Sequence, residues 1–412
     1  MRADLRTTEP SPLNASSPLC HVRRVNGIDE YRIATNGLRV LFMPWRAAPV
    51  AVLMLTYEVG SRHEPLGRKG MSHLLEHMMF RGSAAFDRRG RRSILDLLPA
   101  IGARANATTW LDRTNYFNLV PVTELELAAA IEADRMRGLQ LDADDLEAER
   151  SIVLDEYDLR DGDPHERWAQ AVWSAAFDGH PYGSPAIGVR DDILAISRDD
   201  LREHHRRYCH PGNATLTVVG DLDSVRLQAV VAAHFAGIPA RGESSTEVPA
   251  PPARTAACRF DIELANATPS VSLAYPIPHG RHGDTDALEL LALALTGGVQ
   301  SRLQRELVVP GLATAVSARV SRLRGPGLFE VHAAFDDASA GDRVERALAE
   351  GIARIRVQGV DSDELPRLKG LARGALLTSC DGPVAIAMQL NEAIAAGDWT
   401  LHATACERLA AV

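Results

Sequence analysis

The chain has 412 residues, 46% of them hydrophobic and 24% charged, the make-up of a globular protein long enough for two or more domains. Its formal net charge of -9 at pH 7 leaves no basic surplus to neutralise phosphates, which argues against a nucleic-acid binder. The five cysteines (Cys20, Cys209, Cys258, Cys380 and Cys406) are scattered and form no C-x-x-C pair, which argues against a cysteine zinc site or a disulfide framework and for a reducing compartment.

Residues 1–18 are polar and rich in proline, without the apolar centre of a secretion signal. We assign residues 1–29 as a disordered leader. No apolar run is long enough to span a bilayer, so a cytoplasmic protein without a membrane partner is expected. The first domain, residues 30–238, opens with two strands at 38–42 and 50–57. A turn rich in glycine and proline leads to an apolar helix at 73–80. Strands follow at 104–110 and 114–120, then long helices at 124–137 and 144–159. A helix at 200–208, a strand at 214–220 and a helix at 225–235 close the domain. Residues 239–255 are rich in Pro, Ser, Gly and Glu and read as a flexible linker.

The second domain, residues 256–412, repeats the opening order: strands at 259–264 and 269–275, a polar turn, a helix at 286–295 and a Gly297-Gly298 break. A duplicated α/β unit follows from this order, in an α+β fold with helices packed on mostly antiparallel sheets. The second copy is shorter, by roughly the length of the first copy's closing helix–strand–helix. It therefore reads as a domain that lacks its closing elements, either because the product is truncated or because something else completes it.

The helix at 73–80 carries the chemistry. His73 and His77 stand four residues apart and share one helix face, so both imidazoles can reach one metal ion. Glu76 lies on nearly the same face and is free to act on a bound water. The order H-x-x-E-H is the inverse of the common zinc-protease motif. The second copy of this helix has no histidine, so only the first domain can carry the site. A third ligand is sought in the helix at 144–159, where Glu149 and Glu156 lie seven residues apart on one face. Helix geometry leaves two readings open for them. They form an acidic face turned to solvent, or Glu156 is the ligand and Glu149 stands behind it, orienting a histidine or water.

Seven blocks carry a family resemblance, in the same order: GSRHEPLGRKGMSHLLEHMMFRGS (60–83), GARANATTWLDRTNYF (102–117), EADRM (132–136), ERSIVLDE (149–156), HPYGSPAIG (180–188), HPGNATLTVVGD (210–221) and GGVQSRLQREL (297–307). On these blocks the chain resembles the pitrilysin-like (insulinase) zinc metallopeptidases, most of all their two-domain bacterial and mitochondrial-processing-peptidase-like branch, through nearly all of residues 30–412. The resemblance implies two homologous pitrilysin-type (LuxS/metallopeptidase-like) domains and one Zn2+ per chain held by His73, His77 and Glu156. It implies Glu76 as general base and Glu149 as the supporting acidic residue of the catalytic site. It also implies that Asn106, Ala107 and Thr108 form an edge strand on which an extended peptide adds as a further strand.

The chain departs from the family in one respect. Many relatives carry an arginine and a tyrosine after the Gly-Gly block, where Thr314 takes the tyrosine's place and no arginine aligns. In this family, a subunit with the zinc motif but without that pair works beside a homologous subunit. The expected function is therefore a zinc endopeptidase for extended or unfolded peptides, acting in a dimer with a paralogue or a second copy. The alternatives are a dedicated leader-peptide maturation protease of a peptide natural-product pathway and a non-catalytic subunit of a pitrilysin-type complex.

Overall fold

The structure is a computed structural model that describes residues 18–87, 92–242, 247–252 and 256–412. The first half is built on seven strands: β1 (Leu19–Val25), β2 (Ile28–Ile33), β3 (Arg39–Pro44), β4 (Val50–Tyr57), β5 (Arg104–Thr109), β6 (Thr114–Pro121) and β7 (Ala214–Gly220). They form one sheet in the order β1-β2-β3-β7-β4-β6-β5. Every neighbouring pair is antiparallel except β3 and β7. Its helices are α1 (Met71–Met78), α2 (Ile94–Ala100), α3 (Leu125–Gly138), α4 (Ala143–Gly162), α5 (Pro164–Ala176), α6 (Arg190–Ala195), α7 (Arg198–Tyr208) and α8 (Ser224–Phe235). The second half holds β8 (Ser270–His279), α9 (Asp284–Thr296), β9 (Ala315–Ser321) and β10 (Pro326–Ala334), then α10 (Gly341–Gln358), α11 (Glu364–Thr378), α12 (Pro383–Ala395), α13 (Thr400–Ala403) and α14 (Ala405–Ala411). Its sheet is small, three antiparallel strands in the order β8-β10-β9. Among the described residues no helix is long and apolar enough to cross a membrane.

The leader expected at residues 1–29 is corrected from Leu19 onward; residues 1–17 lie outside the described residues. β1 and β2 form a hairpin whose turn is Asn26-Gly27, both at positive φ (44° and 87°). Asn-Gly is the pair that a tight two-residue hairpin turn requires. Leu19, Tyr31 and Ile33 anchor the hairpin in the core, while most of β1 is exposed and polar. The strand expected at 259–264 is also corrected: that segment is irregular and exposed. In the first half, β7 stands between β3 and β4 and gives β3 a ladder partner. β8 pairs with β10, and among the described residues no strand lies on its other edge, so the small sheet has neither a counterpart of β7 nor a strand at 259–264. Part of the expected flexible linker is held down, because Arg62 donates to Glu247 O at 2.9 Å and His180 Nε2 lies 2.8 Å from Pro249 O.

β4 is buried along nearly its whole length, and alternation of side chains across the sheet explains why. Leu53, Leu55 and Tyr57 face the main core together with Leu74, Leu75 and Met78 of α1. Val52 and Met54 face the other way and pack on Ile386, Leu390 and Ile394 of α12 and on Trp399. The first sheet is thus covered on one face by its own helices and on the other by a helix of the second half. Thr56 reinforces the seam, since its hydroxyl donates to Asn391 Oδ1 at 2.8 Å. The second half keeps its own core around β10, with Phe329, Val331, Leu348 and Leu368 buried. Truncating fully buried Leu390 to alanine should cost about 2–5 kcal/mol, read as a lowered urea midpoint; an unchanged midpoint would show that α12 does not stabilise the first sheet.

Candidate metal and catalytic site

α1 is short, and its start is over-determined. Gly70 adopts a left-handed backbone (φ 97°), and a Cβ there would come within 2.8 Å of Ile187 O and 2.9 Å of Ile193 Cγ1. The helix has no capping side chain at Gly70 itself. The buried carboxylate of Glu64 serves instead, accepting from Gly70 N at 2.8 Å and Ser72 N at 2.6 Å. Those two N–H groups would otherwise be orphaned at the helix end. Burial pushes the Glu64 carboxyl up to about 7, against the pull of those bonds and of Lys69. Leu74, Leu75 and Met78 turn into the core, which leaves His73, Glu76 and His77 facing a cleft of about 490 Å³.

α4 supplies the opposite wall of this cleft. His73 Nε2 lies 3.5 Å from Glu156 Oε2, and His77 Nε2 lies 3.7 Å from Glu156 Oε1. One donor atom from each of the three residues falls within 4.8 Å of the others. Ligands bound tetrahedrally to zinc at about 2.0–2.2 Å are themselves about 3.4 Å apart, close to the two His–Glu156 separations, so the trio has the donor types and nearly the spacing of such a site. Glu149 lies two turns before Glu156 on α4, buried, with Oε2 2.9 Å from His77 Nδ1. That bond places the ring proton on Nδ1 and leaves the Nε2 lone pair toward Glu156. Arg81 donates to the other Glu149 oxygen.

The electrostatics suit a ligand set. Burial, helped by the nearby His77 and Arg160, pushes His73 down to about 3, so its imidazole is neutral. Burial opposes protonation of His77 too, but its bond to Glu149 and the charges of Glu156, Glu149 and Glu76 outweigh it and raise that group. Glu149 is lowered: its burial is overcome by His77 and Arg81. Glu76 is raised, chiefly by burial, with Thr109, His77 and Arg113 opposing.

The edge strand β5 forms the third wall, and Asn106, Ala107 and Thr108 all line the cleft. β5 ends the sheet, so one of its backbone edges has no strand partner among the described residues. Every residue expected at the site is therefore brought to one cleft. The sequence reading missed four others. Thr109 donates to Glu76 Oε2 at 2.5 Å, Arg81 holds Glu149, and Arg160 lines the cleft. Arg113 donates to Thr108 Oγ1 at 2.7 Å and to Glu392 Oε1 of α12 at 2.6 Å. Thr109 and Arg113 lie inside the quoted block 102–117, beside residues that were singled out. Arg81, four residues beyond His77, follows from helix spacing. The partner of Arg113 is far away in sequence and no local pattern reveals it.

A second cleft, of about 650 Å³, lies between α9, β9 and α11. These elements stand to one another as α1, β5 and α4 do. Where His73, Glu76 and His77 of α1, with Phe80 just beyond it, line the first cleft at i, i+3, i+4 and i+7, Glu289, Ala292, Leu293 and Thr296 of α9 line the second. Where α4 presents Glu149 and Glu156, the second half has Ala372 of α11 and Ser379 at that helix's end. Among the described residues the trio in the first half is the one group that could hold a metal. Thr314, at the place of the family's tyrosine, donates to Ala334 O at 3.0 Å, and Arg302 pairs with Glu364 at 3.1 Å.

An uncharacterised zinc protease of Mycobacterium leprae is 31% identical over 349 residues, which cover 83% of this chain and 76% of that protein. The chain belongs to the insulinase family. Residues 40–190 match the profile described as Insulinase (Peptidase family M16), and residues 195–371 match that of the Peptidase M16 inactive domain. Zinc protease PqqE of Helicobacter pylori is 28% identical, covering 81% of this chain and 76% of its own. The crystal structure of a protease from the same organism superposes with a TM-score of 0.79 at 25% identity over 92% of each chain. A Pseudomonas fluorescens structure described as a peptidase M16 inactive domain shares the fold, with a TM-score of 0.81 at 21% identity over 93% of this chain and 91% of its own.

Two measurements test how the family's motif helix is held here. Glu64→Ala strands the Gly70 and Ser72 N–H groups and should lower stability by about 1–3 kcal/mol, while Glu64→Gln, which keeps an acceptor, should lose less; equal losses in urea unfolding would refute the capping role. Beneath α1, burial pushes His204 and His205 of α7 down to about 3 and about 4. Unfolded imidazoles take a proton below about pH 6.5, so this contribution is full above that pH and is lost as the pH falls toward 4 and 3. The wild-type melting temperature should drop across that window, and the His204→Gln/His205→Gln variant should drop less; parallel curves would rule it out.

Proposed function

We propose that the chain is a zinc-dependent endopeptidase that hydrolyses extended or unfolded peptides at the H-x-x-E-H site, beside a homologous partner subunit. One observation carries this reading: three ligand atoms, a carboxylate outside the ligand set and an open strand edge share one cleft. The family supports the general class, since its members act on peptides and some pair with homologous subunits.

His73, His77 and Glu156 would hold the zinc, which when bound would supply Lewis acidity, a water pKa lowered to about 7 and a polarised carbonyl. The remaining steps belong to the chain's own side chains. A peptide adds along Asn106–Thr108, with backbone hydrogen bonds to the free edge of β5 and side chains alternating into and out of the cleft. Strand addition needs an extended segment, so folded proteins are excluded. Glu76 takes the proton of the attacking water and delivers it to the leaving amine. Glu149, held by Arg81, keeps His77 in the tautomer that offers Nε2.

The partner is a second part of the reading. Thr314 and Arg302 are both committed to contacts within their own half, so the contacts that the family's tyrosine and arginine make must come from another subunit, a paralogue or a second copy. Glu76→Gln should keep one zinc per chain and lower turnover of a quenched unstructured peptide by about 10²–10⁴-fold, whereas His73→Ala should lose the metal. Normal turnover by Glu76→Gln would sink the assignment. Zinc without turnover in the wild-type chain alone, restored by a homologous subunit, would favour the paired enzyme.

A further inference from the structure

Thr109 is the last residue of β5, one position beyond the segment proposed to bind substrate. Its hydroxyl is 2.5 Å from Glu76 Oε2 and 3.4 Å from Thr114 Oγ1 across the hairpin. Thr114 gives its own proton to Val59 O at 2.9 Å. It can only accept from Thr109, and the near, charged carboxylate is the stronger acceptor. The single proton of Thr109 therefore belongs to Glu76. Among the described residues this is the one hydrogen bond Glu76 receives.

Thr109 cannot drift with its load. It faces Thr114 in the β5–β6 ladder. Its neighbour Thr108 is bound to Asn115 Oδ1 at 2.7 Å and to Arg113, which is tied in turn to Glu392 of the second half. A donor fixed in a sheet fixes the acceptor. We propose that Thr109 is a positioning residue for Glu76: its hydroxyl clamps Oε2 and leaves Oε1 as the oxygen that serves the cleft. The strand that receives the peptide and the strand that aims the base are then one rigid body. A peptide docked on β5 meets a carboxylate whose place is set by that same backbone. This rests on the reading of Glu76 as general base.

The test compares wild type with Thr109→Ser, which keeps the hydroxyl, and Thr109→Val, which keeps the shape and the strand preference. Crystal structures of the three zinc-loaded proteins should show the Glu76 carboxylate in one place in wild type and Thr109→Ser and turned away in Thr109→Val. Zinc content and melting temperature should match in all three. With peptide substrate, kcat of Thr109→Val should fall about tenfold to a hundredfold, the scale of a small misplacement at a reacting group, with KM unchanged, and Thr109→Ser should recover most of it. The proposal is overturned if Glu76 stays in place in Thr109→Val, if kcat of that variant equals wild type, or if Thr109→Ser falls as far. A wild type that binds zinc without cleaving, while Glu76 still swings away in Thr109→Val, removes the peptidase reading and leaves the clamp standing.

Discussion

Two imidazoles can serve one ion only if the helix that carries them cannot rotate, and α1 has eight residues with which to resist rotation. A helix this short does not hold itself together in water. Its orientation comes from outside: Glu64 grips its first N–H groups, Gly70 lets its start press against Ile187 and Gly188, and four of its side chains, Met71, Leu74, Leu75 and Met78, are sunk in the main core. The site depends on this grip more than on the histidines themselves. A rotation of one residue, about 100°, would bring Leu74 and Met78 into the cleft and bury the imidazoles in hydrocarbon.

Burial then does different things to neighbouring groups. His73 has no acidic partner strong enough to offset desolvation and stays neutral, as a ligand must be. His77 is somewhat less enclosed, and Glu149 beneath it supplies an oriented acceptor, which fixes which nitrogen is free. Glu149 in turn is kept charged by Arg81. The chain Arg81–Glu149–His77 reads outward from the cleft as a series of compensations, each group making the next one possible in a place where an isolated charge would be too costly.

The motif helix, the second acidic helix and the strand at 104–110 were legible in the sequence because each has a local signature: i, i+4 histidines, glutamates seven apart, and a short β-rich stretch; that this strand is an edge was implied by the family resemblance alone. Glu156 needed more than geometry: spacing alone favoured a solvated acidic face, the family resemblance implied the ligand, and the structure has its carboxylate opposite both imidazoles. The hairpin of β1 and β2 was passed over although Asn26-Gly27 announces it, because the exposed, charged strand before the turn resembles a tail. The reverse error occurred at 259–264, where an alternating pattern suggested a strand but pairing, which sequence alone does not display, was missing. The roles of Glu64 and Thr109 were hidden for a related reason. Both act across loops on α1, and contact between segments distant in the chain leaves no trace in local periodicity.

The seam between β4 and α12 has a consequence for how the molecule can be divided. The stretch rich in proline and serine looks like the place to cut, and by ancestry it is where one copy stops and the other starts. By folding it is not. A fragment ending at residue 238 would turn Leu41, Val52, Met54 and Val219, all fully buried here, into a wet apolar sheet, the kind of surface that drives aggregation. The unit that was duplicated and the unit that is stable alone have different borders, and the second includes a helix borrowed from the far end of the chain.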